Sequence, residues 1–136
     1  MEKTPRILVV DDEASWINNI VAAFADTEHE IVTASSYMEA GILLDESAFD
    51  LVISDNHMKV SNAGLELRER MWLKSQEHIP FILYTYDDSP HITESLKKHG
   101  NAWHRTKSTV PPARLARFAM SVLRKRGREL PHEDSS

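Results

Sequence analysis

An α/β fold is predicted for this chain: a doubly wound, five-stranded parallel sheet of order 2-1-3-4-5 in three α/β/α layers. Three observations carry it. Continuous apolar, largely β-branched runs recur at Ile7-Leu8-Val9-Val10, Leu51-Val52-Ile53 and Phe81-Ile82-Leu83-Tyr84, as suits strands buried on both faces. Between them, apolar residues fall at helical spacing. The two kinds of segment alternate along the chain, which argues for a mainly parallel sheet with helices on both faces.

The elements follow in order. After the first strand, Trp16, Ile17, Ile20, Val21 and Phe24 form one apolar helical stripe. A second strand is expected over 30–34, and then Ser36 serves as N-cap of a helix whose stripe is Met38, Ile42 and Leu43. The third strand leads to Gly64 and a helix bearing Leu65, Leu67, Met71 and Leu73; the fourth follows Pro80. Ile92 and Leu96 mark the fourth helix, with Gly100 as its C-cap. A weak strand is expected over 101–106, and after Pro111-Pro112 the last helix carries Leu115, Phe118, Ala119 and Val122. Right-handed crossovers, with winding reversed beside the first strand, give the order stated and set strands one and three side by side at the switch point, where ligands bind.

Composition bounds the function. At 136 residues the chain fits one domain, and 41% hydrophobic with 27% charged residues is ordinary for a soluble globular protein. Without cysteine, disulfides, thiolate metal sites and cysteine nucleophiles are excluded. No signal peptide or membrane span is legible, so a cytoplasmic location is expected, with no membrane insertion. A net charge of −5 argues against non-specific nucleic-acid binding.

Chemistry gathers at the strand ends. Asp11 and Asp12 follow the first strand directly and Asp55 follows the third, so neighbouring strands deliver three carboxylates to one rim. Like charges that close raise one another's pKa or recruit a cation, and hard oxygen ligands at a hydrated edge suit Mg²⁺. Singly, each acid could begin a turn or cap a helix, as Asp12 could for a helix starting near Glu13. The fourth strand adds the Thr85 hydroxyl and the fifth the Lys107 ammonium, which suit a phosphoryl group carrying about −1.5 to −2 charge. Seven histidines lack the spacing of a helical zinc site.

Taken together, Ile7-Leu8-Val9-Val10-Asp11-Asp12-Glu13, Asp50-Leu51-Val52-Ile53-Ser54-Asp55, Phe81-Ile82-Leu83-Tyr84-Thr85 and Lys107 resemble, in order and spacing, the receiver domain of bacterial response regulators. The resemblance covers about residues 6–125 and implies a flavodoxin-like fold, a receiver domain over 6–126 and a polar, disordered tail over 127–136. It further implies phosphotransfer from a sensor histidine kinase or histidine phosphotransfer protein to Asp55. Mg²⁺ would be held by Asp12, Asp55 and the backbone carbonyl of His57, with Asp11 assisting, while Thr85 and Lys107 bind the phosphoryl oxygens. Such a domain is a signalling switch rather than an enzyme, although it catalyses its own phosphorylation and dephosphorylation.

The chain departs from the family pattern in four places. Lys59 replaces the usual proline after Met58, and Gly64 falls nine rather than eight residues past the acceptor. Ser108 follows Lys107 where a cis-linked proline is usual; a cis non-proline bond costs about 3–4 kcal/mol, so the loop is expected to be trans, with Lys107 then free to point differently, or strained. His104, beside Trp103, stands where a Tyr or Phe normally switches rotamer, which points to an altered, pH-coupled or inert switch. Asp87, two past Thr85, and His57, two past Asp55, could touch an attacking water, and Asp87 predicts faster phosphate loss.

The basic run Arg124-Lys125-Arg126-Gly127-Arg128 either complements the last helix's dipole or docks an acidic partner or a second copy through that helix and adjacent strands. With no DNA-binding or enzymatic domain legible after residue 125, output through an unknown downstream protein is expected, with no direct nucleic-acid contact; a receiver cut from a longer protein is the other option. The alternative function is a pseudo-receiver, a constitutive interaction module independent of phosphorylation. A phosphohydrolase is disfavoured, because no Asp-x-Asp follows the first strand.

Overall fold

The computed structural model describes residues 4–98 and 100–129, the last three as backbone alone. Strands and helices alternate: β1 (Arg6–Val10), α1 (Ala14–Ala23), β2 (Glu30–Ala34), α2 (Tyr37–Glu46), β3 (Leu51–Ser54), α3 (Ala63–Leu73), β4 (Phe81–Thr85), α4 (Pro90–Lys97), β5 (Ala102–Thr106) and α5 (Pro112–Glu129). All ladders are parallel and the order is β2-β1-β3-β4-β5, as predicted.

Alternation along each strand splits the core in two. Leu8, Val10, Val52, Phe81 and Leu83 face Ala40, Leu44, Leu67, Met71, Ile92 and Leu96 of α2, α3 and α4. On the other side Ile7, Val9, Leu51, Ile53, Ile82 and Tyr84 meet Ile20, Phe24, Leu115, Ala119 and Val122. Helices therefore cover both faces, which is why residues 7–10, 51–53 and 81–84 are continuous apolar runs.

Ser36 caps α2, its Oγ accepting from the Glu39 N–H at 3.0 Å. Gly100 takes a positive φ of 69° after α4, a conformation open to glycine. The stripe expected on α2 is corrected in part: Leu43 packs against the core, but Met38 and Ile42 are 72% and 51% exposed, while Ala40 and Leu44 are buried. Small residues set that phase, because Gly41 admits the Arg70 guanidinium of α3 at a distance where a Cβ would collide, and Arg70 and Lys74 both pair with Asp45. Leu73 is likewise exposed at the end of α3.

Arg68 of α3 is 1% exposed. Its guanidinium donates to the carbonyls of Ile79 (2.8 Å), Glu77 (3.1 Å), Gly100 (3.0 Å) and Asn101 (3.3 Å), tying together the loops that enter β4 and β5. On α5, Arg126 pairs with Asp50 at 3.2 Å, so one cation of the basic run serves an internal tie. The helix includes residues 127–129 of the expected tail; residues 130–136, and His99, lie outside the described residues. Among the described residues no helix is long and apolar enough to cross a membrane.

Candidate phosphoacceptor and metal site

Each ladder continues one residue past its strand. The Asp11 N–H donates to Ala34 O (3.1 Å), the Asp55 N–H to Val10 O (2.9 Å) and the Lys107 N–H to Thr85 O (2.8 Å). Sheet hydrogen bonding thus fixes the backbone of all three residues at one rim, two of them on the adjacent strands β1 and β3. Carboxylate oxygens of Asp11, Asp12 and Asp55 lie within 4.8 Å of one another. Asp11 and Thr85 are buried and Asp12 is exposed.

Lys107 joins the cluster. Its Nζ is 2.7 Å from Asp11 Oδ2 and 3.3 Å from Asp55 Oδ2, and its side chain is 1% exposed. The peptide after it is trans, since no described peptide bond is cis; the redirection open to a trans loop does not occur. Burial pushes the Asp11 carboxyl above its ordinary value, against the lowering effect of Lys107 and of the Glu13 N–H. Asp12 does not cap α1: the N-cap is Glu13, without a side-chain cap bond, and it is Asp11 Oδ1 that accepts from Glu13 N at 3.0 Å.

The loop after Asp55 is built on Asn56, which is fully buried. Its Oδ1 accepts from Leu65 N and its Nδ2 donates to Asn62 Oδ1, both at 3.0 Å, while its carbonyl accepts from Gly64 N at 2.9 Å. Lys59, exposed, has φ 55°, and Asn62 φ 62°. Proline's ring holds φ near −65°, so the extra residue of this loop is accommodated by a backbone that excludes proline at 59. Gly64 is packed against Asp55: a Cβ there would lie 2.3 Å from Asp55 O.

Two histidines converge on Asp87. Nδ1 of His57 accepts from Asn62 N at 3.1 Å, so Nε2 carries the proton and donates to Asp87 Oδ2 at 2.7 Å. Ser89 donates to the other oxygen, and the bonds from His57 and Ser89 hold the Asp87 carboxyl well below the usual carboxylate range. Nε2 of His104 lies 2.8 Å from the Asp87 carbonyl, tying β5 to the β4–α4 loop. Trp103 points to the opposite layer, edge-on to Phe118 at 5.9 Å.

The structure therefore brings Asp11, Asp12, Asp55 and Lys107 together, sets Thr85 at the end of the neighbouring strand, and links His57, Asp87 and His104 in a second group beside them. Sequence reasoning missed three contributors: Asn56, and the rings of Trp16 and Tyr86, 4.6 and 5.6 Å from Lys107 Nζ. Trp16 was legible only as one apolar residue of a helical stripe, and no spacing rule marks the other two.

The donor set fits a hard divalent cation, since all three clustered side chains offer carboxylate oxygen and one of them is buried with its charge disfavoured. Comparison with known proteins gives the family. The family described as the response regulator receiver domain matches residues 7–112. The chain is 36% identical over 70 residues to the alginate biosynthesis transcriptional regulatory protein AlgB of Pseudomonas aeruginosa, a stretch that spans 52% of this chain and 15% of that protein. Among solved structures it is similar to the chemotaxis response regulator CheY4 of Vibrio cholerae (TM-score 0.77, 26% identity, 88% of this chain and 99% of that one). A CheY-like receiver domain protein from Methanospirillum hungatei JF-1 shares the fold (TM-score 0.84, 20% identity, 94% and 100%).

Proposed function

Because the chain belongs to the response regulator receiver domain family, we propose that it is a phosphorylation switch in which Asp55 accepts a phosphoryl group from a sensor histidine kinase or a histidine phosphotransfer protein. The observation that carries this is the position of Lys107 Nζ, 2.7 Å from Asp11 and 3.3 Å from Asp55. An ammonium so placed lies where charge develops on a phosphoryl group reaching Asp55.

In the transfer, an Asp55 oxygen attacks phosphorus in line; the new O–P bond forms as the P–N bond to the donor imidazole breaks, and the departing nitrogen keeps the electron pair and takes up a proton. Lys107 neutralises charge on the transferred oxygens, and the Thr85 hydroxyl donates to one of them. Asp12, Asp55 and the His57 backbone carbonyl, with Asp11 assisting, would hold Mg²⁺, which supplies further neutralisation of phosphoryl charge. Hydrolysis resets the switch: water attacks phosphorus, the O–P bond breaks, and the Asp55 carboxylate and inorganic phosphate are released.

The chain acts as a signal carrier in the cytoplasm rather than as an enzyme on an external substrate. Drawing Thr85 toward the phosphoryl group shifts the β4–α4 loop, which His104 ties to β5, and so biases the surface of β4, β5 and α5 by population shift. Output is binding of a downstream protein there. A groove of about 480 Å³ lined by Pro80, Asn101, Trp103, Phe118 and Lys125 lies between α5 and the ends of β4 and β5 away from Asp55, where Lys125 suits an acidic partner; it is also the face proposed for a homodimer.

Incubation with acetyl phosphate and Mg²⁺, read by intact mass, tests the reading. A gain of one phosphate that is lost in Asp55→Asn is expected. No gain in the wild type overturns it and favours the pseudo-receiver.

A further inference from the structure

Two carboxylates account for only part of the environment of Lys107. Its Nζ also lies 4.6 Å from the centroid of the Trp16 ring and 5.6 Å from that of Tyr86. The two rings meet edge-on, with centroids 5.7 Å apart at 78°. Trp16 is in turn edge-on to Tyr84 at 5.6 Å, and the Tyr84 hydroxyl donates to Val110 O. The start of α1, the end of β4 and the first residue of the β4–α4 loop thus form one aromatic wall around a single ammonium.

Burial does not explain that wall on its outer side, because Tyr86 is 61% exposed. Nor does the backbone explain where the ammonium sits. A lysine stem is flexible, so its partners rather than the main chain set where the ammonium sits. A cation is attracted to the faces of aromatic rings, more strongly where water is excluded, and the Lys107 side chain is 1% exposed.

We propose that Trp16 and Tyr86 are positioning residues for phosphoryl transfer: their rings hold the Lys107 ammonium beside Asp55, so that it is in place when the phosphoryl group arrives. The proposal rests on Asp55 being the phosphoacceptor. The Tyr86 hydroxyl has no part in it, so phenylalanine serves as well there, whereas an aliphatic residue of similar bulk does not.

The test measures phosphorylation of Asp55 by acetyl phosphate at saturating Mg²⁺ in Trp16→Leu, Tyr86→Leu and Tyr86→Phe, each also in a Lys107→Met background. Both leucine variants are expected to slow phosphorylation about tenfold and Tyr86→Phe to stay near wild type. In the Lys107→Met background neither leucine variant should cause further loss, which a merely structural role would not produce. Ring currents give a readout that needs no phosphate: the Lys107 Hε signals are expected upfield in the wild type and in Tyr86→Phe, and to lose part of that shift in each leucine variant. Trp16→Phe, which keeps a ring in place, replaces Trp16→Leu if the latter does not fold, with a smaller loss expected. Leucine variants at wild-type rate, or equal slowing with and without Lys107, overturn the clamp alone. A wild type that takes no phosphate overturns the acceptor reading and the clamp's purpose together, even with the Hε shift present.

Discussion

His57 Nε2 and Asp87 Oδ2 lie 2.7 Å apart, joining the loop after Asp55 to the loop after Thr85. The bond defines how Asp87 can act. Held well below the usual carboxylate range by His57 and Ser89, it is a fixed anion at neutral pH and a poor proton acceptor, so its influence on hydrolysis runs through charge and the orientation of water. In Asp87→Asn the amide oxygen still accepts from His57 while the charge is gone. The phosphoryl lifetime is expected to lengthen, by about threefold, in an autodephosphorylation time course; an unchanged or shorter lifetime removes Asp87 from the hydrolytic step.

Gly64 is predicted to tolerate no side chain. A Cβ would stand 2.3 Å from Asp55 O, 2.6 Å from Leu83 Cδ1 and 2.9 Å from Asn56 Cα. Two of these are backbone atoms of Asp55 and the residue after it, which cannot move without taking Asp55 along. Gly64→Ala is expected to cost about 2–3 kcal/mol in a denaturant titration, in the range of overpacked cores, and to slow phosphorylation as well. A variant with wild-type stability and rate would mean that the loop yields freely.

The difference between this position and the neighbouring ones shows what the sequence could reveal. Sheet order and the convergence of Asp11, Asp12 and Asp55 were legible because strand runs and strand-end residues follow from local patterning and parallel topology. The direction of Lys107 was not, because a long flexible side chain is set by its tertiary neighbours, here Trp16 and Tyr86 beside the two aspartates, and the rings' apolar character has an ordinary explanation. Helix phase failed on α2 for a similar reason: Met38 and Ile42 are the larger apolar residues, but it is Ala40, Gly41 and Leu44 that face inward, Gly41 beside the Arg70 guanidinium. The buried Arg68 gave no signal at all, since a charged residue in a helix is read as solvated until its carbonyl partners are known.

Tyr84 makes stability depend on alkaline pH. Burial pushes its phenol up to about 12 from the ordinary 10.0, and its hydroxyl donates to Val110 O. The folded state thus holds this proton more tightly than the unfolded chain. Its contribution is fully present below the unfolded value of about 10 and is lost as pH rises toward about 12. Unfolding midpoints of wild type and Tyr84→Phe measured across that window are expected to converge as pH rises; parallel curves would show that Tyr84 does not carry the effect.

Arg68 supports the end of the sheet opposite Asp55, and its loss should separate stability from chemistry. Its guanidinium satisfies the carbonyls of Glu77, Ile79, Gly100 and Asn101 and lies over the Phe81 ring at 5.6 Å. Burial lowers its pKa to about 10, which still leaves it charged at neutral pH. Arg68→Met keeps much of the volume but leaves those carbonyls without their donor, at about 1–3 kcal/mol for each group that water cannot reach. Arg68→Lys restores the charge without the planar fork that reaches both loops at once. Both variants are expected to lower the denaturation midpoint, the methionine more, while the phosphorylation rate of the folded fraction stays at wild type. The Asp55 site is held by the other ends of β1, β3, β4 and β5, so a reduced rate at full folding would show that the two ends of the sheet are coupled.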